Sequence, residues 1–136
     1  MDRLLTRRRP GPGASFLPAL ALVLGLGAAL PAAAGDPVQG HTVFASRCAM
    51  CHSAAKGGPT ILGPTLWGVV GRPAGSVKGF AYSTAMKTAS FSWTNDRLHA
   101  YLPRPAAMVP GTKMTFLGLK SPEQVDDLVA YLNTLK

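Results

Sequence analysis

The stretch Cys48-Ala49-Met50-Cys51-His52 constrains the possible fold and function of this chain more than any other. Its two cysteines are three positions apart, and a histidine directly follows the second. This spacing is that of c-type haem attachment, in which each thiol forms a thioether and the histidine lies beneath the iron. A redox dithiol and half of a zinc site are the ordinary alternatives. The chain has no further cysteine, and its other histidines, His41 and His99, stand alone. The neighbouring sequence also lacks Val- and Ile-rich strands. Haem attachment is therefore favoured.

The first 34 residues have the pattern of a secretory signal peptide. Arginines occupy positions 3 and 7–9, an apolar run extends over residues 16–30, and small residues follow at 32–34. The run is short for a membrane span, which needs about 20 apolar residues. We predict a cleaved signal peptide over residues 1–34, one exported domain over residues 35–136 and a periplasmic location, with an uncleaved membrane anchor as the alternative.

The charge of the chain favours an acidic partner. The whole sequence carries +8, and removing the four arginines and one aspartate of residues 1–34 leaves +5. The ten remaining lysines and arginines are scattered without a basic run, which argues against nucleic acid as a partner.

The pattern of caps and apolar stripes predicts an all-α domain with long loops. Asp36-Pro37 begins the first helix, Ser83 caps one short helix, and Thr94 or Asn95 caps another. Ser121-Pro122 opens the last helix with a Ser-x-x-Gln capping box. The apolar stripe of that helix contains Val125, Leu128, Val129, Leu132 and Leu135. No segment has a convincing strand pattern.

Residues 53–79 are predicted to form a loop that surrounds an apolar group. Glycine and proline recur there, yet apolar side chains are interleaved with them. An irregular backbone with apolar side chains indicates an envelope rather than a disordered linker. The side chains in question are Ile61, Leu62, Leu66, Trp67, Val69 and Val70.

A second axial ligand for the iron would come from a methionine or a histidine. Met50 lies inside the attachment motif and cannot reach over the ring, and His41 and His99 are expected on helix surfaces. Met108 and Met114 remain, with Met86 less favoured. Met114 has the better context, because Pro110-Gly111 provides a fixed turn before it and the 62 residues after His52 allow the chain to reach the opposite face.

The order and spacing of these motifs resemble those of a class I c-type cytochrome over essentially all of residues 36–136. The resemblance extends well beyond the cysteines. It includes Gly40 with Phe44, Lys56-Gly57-Gly58, Gly63-Pro64-Thr65-Leu66-Trp67-Gly68, Gly71-Arg72, Gly79-Phe80-Ala81-Tyr82, Trp93, Tyr101-Leu102, Pro110-Gly111-Thr112-Lys113-Met114 and Leu128-Val129-Ala130-Tyr131-Leu132.

The resemblance implies the small all-α cytochrome c fold, one covalent haem c attached through Cys48 and Cys51, and an iron held by His52 and Met114. It also implies that the first and last helices cross. The residues that match the family's haem-contacting groups are Pro64, whose carbonyl holds the axial histidine, Tyr82, Trp93 and Arg72 near a propionate, Tyr101 and Thr112 near the methionine sulfur and inner propionate, and Phe116 beside the exposed haem edge.

Three positions depart from the mitochondrial members of the family. Met86 stands where they have an asparagine in the polar network near the methionine. Ala106 and Ala107 stand where they have lysines, so the basic docking ring is reduced. The cations that remain for docking are Lys56, Lys113, Lys120 and Lys87.

The resemblance implies a soluble, monomeric one-electron carrier without a small-molecule substrate, which shuttles electrons between redox proteins with acidic docking surfaces. It is not expected to be an enzyme or to insert stably into a membrane after signal cleavage. Two alternatives remain at this stage. A small haem peroxidase or gas-binding protein would have a labile Met114, and a membrane-anchored subunit of a larger oxidoreductase would keep residues 16–30.

Overall fold

The computed structural model describes residues 34–136, so residues 1–33 of the predicted signal peptide (residues 1–34) lie outside the described part. Within that part, five helices are joined by long loops. They are α1 (Pro37–Arg47), α2 (Thr84–Lys87), α3 (Asn95–Tyr101), α4 (Pro105–Met108) and α5 (Pro122–Thr134). An isolated β-bridge joins Pro73 and Ser92, and residues 34–136 contain no longer strand. The predicted all-α fold is confirmed.

Side-chain caps begin the helices where the sequence predicts them. The Asp36 carboxylate accepts a hydrogen bond from the Val38 amide at 2.8 Å, and Pro37 occupies the first turn of α1. The hydroxyl of Ser121 likewise accepts from the Gln124 amide at 3.3 Å. Each cap satisfies a backbone N–H that has no partner within its own helix, so these starts are determined locally. The hydroxyls of Ser83 and Thr94 act in the same way at α2 and α3.

Helix α4 is not among the helices that the capping pattern predicts from the sequence. A single turn forms there, with Pro105 at its first position. Proline has the fixed φ that this position requires, and alanine is the strongest helix former. The side chain of Pro105 is fully buried, so tertiary packing also holds this turn in place.

Helices α1 and α5 pack against each other, as the resemblance implies. Gly40 lies against the backbone of α5, where an added Cβ would be 2.7 Å from the Cβ of Tyr131. The rings of Phe44 and Tyr131 are 5.5 Å apart between centroids. The amide of Asp36 donates to the Asp127 carboxylate at 2.7 Å. A glycine at position 40 therefore allows the two helices to approach closely.

The loop between residues 48 and 83 encloses the core only in part. Val69 is buried, and Leu66 and Trp67 pack against the buried cluster. Leu62 and Ile61 are exposed, so the rest of the chain does not cover these two side chains. None of the helices in residues 34–136 has the length and apolar character to cross a membrane.

Candidate haem site

A cavity of about 420 Å³ opens inside the fold, between the end of α1, the loop after it and the segment that follows α4. This volume falls in the range of cofactor and ligand sites, and apolar side chains form most of the lining. Every site residue predicted from the sequence lines this one cavity. These residues are Cys48, Cys51, His52, Pro64, Arg72, Tyr82, Trp93, Tyr101, Thr112, Met114 and Phe116.

The two cysteines reach the cavity from a turn that ends α1. The Cys48 amide closes the helix by donating to the Phe44 carbonyl at 2.8 Å, and the His52 amide donates to the Cys48 carbonyl at 2.9 Å. No disulfide joins the two cysteines. Burial, with a smaller contribution from the neighbouring Cys51, raises the pKa of the Cys48 thiol to about 11. This tight turn directs two sulfurs and one imidazole into the same space.

The imidazole of His52 is fixed by the backbone of the loop that follows it. Its Nδ1 lies 2.7 Å from the Pro64 carbonyl oxygen. Because a carbonyl only accepts, Nδ1 carries the proton and the lone pair of Nε2 remains for a metal. Burial lowers the pKa of His52, and the hydrogen bond to Pro64 opposes that effect only in part. The neutral imidazole is therefore favoured, which is the form that binds iron.

Gly63 determines how closely this loop approaches the histidine. The Gly63 amide donates to the Cys51 carbonyl at 2.8 Å, and its Cα packs on the imidazole of His52. A Cβ at position 63 would lie 2.6 Å from the Nδ1 atom. Only glycine leaves the ring in its present place.

The thioether of Met114 also has a polar partner. The Tyr101 hydroxyl donates to the Met114 sulfur at 3.4 Å, and the Met114 amide donates to the Thr112 hydroxyl at 3.3 Å. Burial raises the pKa of Tyr101, opposed by a hydrogen bond with Thr112, so its hydroxyl stays protonated and able to donate. Gly111 has a φ of +86°, which provides the turn that brings this segment to the cavity.

The other candidate ligands divide into two groups. Met50, Met108, His41 and His99 do not line the cavity. Met86 does line it and is buried, although the sequence ranked it below Met108 and Met114. The sequence predicts the short helix α2 from its Ser83 cap. That Met86 of this helix packs against the cavity depends on the tertiary fold.

The polar side of the cavity is formed by Arg72 and Tyr82. The guanidinium of Arg72 donates to the carbonyls of Trp67 and Thr65, each at 2.8 Å. Burial lowers the pKa of Arg72, and Tyr82 partly restores it. The Tyr82 hydroxyl accepts from the Val77 amide at 3.3 Å. A cation and a phenol held in this way suit the carboxylates at one edge of a porphyrin.

Several lining residues were not identified as site residues from the sequence. Leu98 comes from the buried face of α3, and Leu102 is the residue that caps the end of that helix. Leu128 and Leu132 come from the buried face of α5. The helical spacing of Leu128 and Leu132 in the sequence indicated only that both belong to the hydrophobic core. Arg47, immediately before the first cysteine, also lines the cavity, and its position next to the motif was the available signal.

This set of groups fits a haem attached through two thioethers. Two thiols, one neutral imidazole and one thioether converge on an apolar space, and soft sulfur and imidazole ligands suit iron. In residues 34–136 no three His, Cys, Asp or Glu side chains are grouped so as to hold a metal ion.

The cytochrome c family model matches residues 37–136. The chain belongs to the cytochrome c family. A cytochrome c from Chlamydomonas reinhardtii is 48% identical over 101 residues, which cover 74% of this chain and 90% of that protein. Cytochrome c2 from Blastochloris viridis is 44% identical over 102 residues, covering 75% of this chain and 80% of the relative. The structure of cytochrome cH from Methylobacterium extorquens matches with a TM-score of 0.68 and 44% identity, covering 74% of this chain and 99% of that one.

Members of this family bind one covalent haem c and transfer electrons with redox partners, without a small-molecule substrate. This cytochrome c is accordingly an electron-transfer protein and not an enzyme. The haem attachment predicted from the motif and the electron-transfer role implied by the resemblance are confirmed.

Proposed function

We propose that this cytochrome c is a soluble periplasmic one-electron carrier whose haem is attached through Cys48 and Cys51, and whose iron is held by His52 and Met114. The observation that carries the proposal is that His52 and Met114 line one cavity, each with its own hydrogen-bond partner. The haem supplies an iron that gains or loses one electron.

The protein positions the two ligands through groups outside the iron's coordination sphere. The Pro64 carbonyl orients His52 and increases its basicity as a ligand. The Tyr101 hydroxyl orients the sulfur of Met114 and withdraws electron density from it. A thioether ligand in place of a second imidazole raises the reduction potential.

With His52 and Met114 both bound to the iron, the chain would leave no coordination position for a substrate. Electron transfer would then take place through the edge of the haem. Phe116 lines the cavity and lies beside exposed residues, as the resemblance implies for an aromatic near that edge.

The ligand assignment is tested by comparing three methionine variants of the holoprotein. We expect Met114→Ala to lose the methionine-to-iron charge-transfer band near the red edge of the visible spectrum. Met86→Ala is the demanding comparison, because Met86 lines the same cavity, and Met108→Ala is the control outside it. Both should retain the band. A band that survives in Met114→Ala, or disappears in Met86→Ala, would assign the ligand differently.

We further propose export with cleavage between Ala34 and Gly35. The basic, apolar and small-residue segments of residues 1–34 support it, and the covalent haem motif agrees with assembly outside the cytoplasm. Mass spectrometry of the protein from the periplasmic fraction should find Gly35 at the N-terminus and the mass of one haem. A chain that retains residues 16–30 in the membrane fraction would support an anchored subunit instead.

The proposed partners are redox proteins with acidic docking surfaces. The proposed oligomeric state of the carrier is a monomer. The +5 charge of residues 35–136 favours encounter with acidic surfaces over distances of about a Debye length. Lys56, Lys87, Lys113 and Lys120 are all exposed. Sedimentation of the holoprotein at a single-chain mass tests the monomeric state.

A further inference from the structure

A second histidine of this chain is held in the same way as the proposed iron ligand. The Nδ1 atom of His99 lies 2.8 Å from the Asn95 carbonyl oxygen, as that of His52 lies 2.7 Å from the Pro64 carbonyl oxygen. A carbonyl only accepts, so Nδ1 carries a proton in both rings. Histidines that bind metals in proteins nearly always donate their other ring N–H to such an acceptor. The remaining nitrogen of His99, Nε2, is therefore the one that can bind a metal ion.

A carboxylate faces that nitrogen from another helix. His99 Nε2 in α3 lies 3.0 Å from Asp126 Oδ1 in α5. The two side chains are 41% and 47% exposed, so ions in solution can reach them. A carboxylate only accepts hydrogen bonds, and a neutral His99 protonated on Nδ1 would place two lone pairs against each other. The contact is favourable only with a cation in it, which is either a proton on Nε2 or a metal ion.

The distance between the two atoms is that of neighbouring ligands on one metal ion. Nitrogen and oxygen ligands from proteins lie about 2.1 Å from a divalent transition metal. Two such bonds at about 90° place their donor atoms about 3.0 Å apart, whereas a tetrahedral angle would require about 3.4 Å. The observed separation is 3.0 Å. Right angles between nitrogen and oxygen ligands are typical of the square-planar or tetragonal sites that Cu²⁺ prefers, and Cu²⁺ also has the highest affinity in the series of divalent first-row metals.

A small cavity beside the pair provides room for the remaining ligands. It has a volume of about 210 Å³, and both His99 and Asp126 line it. A water molecule takes up about 30 Å³ in the liquid, so this space can hold several. Among residues 34–136 no three His, Cys, Asp or Glu side chains are grouped so as to hold a metal ion. Water must therefore complete a coordination shell that begins with these two side chains.

The charges of α5 favour a cation at this position. The helix contains three carboxylates, Glu123, Asp126 and Asp127, and neither a lysine nor an arginine. Lys120 lines the small cavity and opposes a cation there, but its ammonium donates to the Leu117 carbonyl at 3.1 Å. The carboxylates therefore outweigh the one lysine in the field at the pair.

We infer that His99 and Asp126 form a binding site for one Cu²⁺ ion, which joins α3 to α5. His99 Nε2 and a carboxylate oxygen of Asp126 occupy two adjacent positions around the ion, and water molecules occupy the others. The ion replaces the proton of the pair wherever Nε2 carries one. No electron is transferred in this step, and the copper stays divalent. Neither residue lines the haem cavity, so the inference does not depend on the proposed carrier function.

Titration of the oxidised holoprotein with Cu²⁺ tests the site. The oxidised form is used so that the haem cannot reduce the copper. Isothermal titration calorimetry measures the stoichiometry and affinity, and electron paramagnetic resonance reports the nitrogen ligands of the copper. We expect one Cu²⁺ per chain with one nitrogen ligand. Zn²⁺, which prefers tetrahedral sites, should bind about tenfold more weakly, and Mg²⁺ should not compete.

Variants of the two ligands locate the ion, and His41→Ala is the matched control. His41 is also an exposed histidine, but its ring packs on Tyr131 with 5.3 Å between centroids, and no carboxylate of residues 34–136 pairs with it. We expect His99→Ala and Asp126→Asn each to weaken Cu²⁺ binding about tenfold or more, and His41→Ala to change it by less than about twofold. Cu²⁺ should also raise the denaturation midpoint of the wild-type protein more than that of Asp126→Asn, because the ion joins two helices.

Three results would overturn the inference. Equal Cu²⁺ affinity in Asp126→Asn and in the wild-type protein would show a lone surface histidine that binds an adventitious ion only. An equal loss of affinity in His41→Ala and in His99→Ala would show no preference for the pair between α3 and α5. No binding, or a copper signal without a nitrogen ligand, would leave the contact as an ion pair with a proton on Nε2. The carrier proposal is tested separately by the methionine variants, and its failure would leave these results unchanged.

Discussion

Replacing Gly40 by alanine sets helix propensity against helix packing. An alanine Cβ would lie 2.6 Å from the carbonyl carbon of Asp127 and 2.7 Å from the Cβ of Tyr131. Carbon atoms prefer separations of about 3.5–4.0 Å, so α1 and α5 would have to move apart by about 1 Å. The obstacle is the backbone of α5, which cannot move aside as the end of a flexible side chain could.

The expected effect is a loss of about 2 kcal/mol in the free energy of unfolding. Overpacking typically costs about 1–3 kcal/mol. Here the cost should lie at or above the upper end of that range, because two helix backbones must separate. Alanine recovers about 1 kcal/mol of helix propensity relative to glycine. The melting temperature of this domain should therefore fall by roughly 10 °C.

Chemical denaturation of the holoprotein, followed by circular dichroism, measures this change. Ala45→Gly is the matched control, since Ala45 is an exposed residue of the same helix. This variant should lose about 1 kcal/mol in the free energy of unfolding through helix propensity alone. If Gly40→Ala instead raises the free energy of unfolding by about the same amount, propensity governs position 40 and the close-packing argument is refuted.

Three further substitutions test single contacts. Gly63→Ala should displace the imidazole of His52, because its Cβ would lie 2.6 Å from Nδ1, and an unchanged visible spectrum of the holoprotein would contradict this. Ser121→Ala should lower the free energy of unfolding by about 1 kcal/mol through loss of the α5 cap, whereas Ser121→Asp should retain most of it in denaturation experiments. His99→Ala breaks an exposed pair in which His99 Nε2 lies 3.0 Å from Asp126 Oδ1, and it should lower the free energy of unfolding by less than about 1 kcal/mol. A larger loss that persists at high salt would show that the pair stabilises the fold more than its exposure suggests.

The loop after the attachment motif shows where sequence reasoning and structure diverge in this protein. The apolar residues of the loop after the motif were all interpreted as an envelope for the cofactor. Val69 and Leu62 line the cavity and agree with that interpretation, whereas Ile61 is exposed and does not line it. Periodicity cannot separate the two outcomes, because an irregular loop has no repeating face.

Local rules account for what the sequence alone determined. The cysteine spacing identified the cofactor, because two thioethers and one histidine ligand require residues that are close in the chain. The caps at Asp36 and Ser121 positioned α1 and α5, because each cap bonds an amide two or three residues away. The motif pattern as a whole was specific enough to identify the family.

Contacts between distant residues were decided only by the tertiary structure. The hydrogen bonds from His52 to Pro64 and from Tyr101 to Met114 span 12 and 13 residues, and the one between Asp36 and Asp127 spans 91. The resemblance suggested some of these pairs, but no local rule fixes them. The chain must first close its long loops around the cavity, and that closure depends on the packing of the whole core. The same closure decides which apolar side chains are left at the opening.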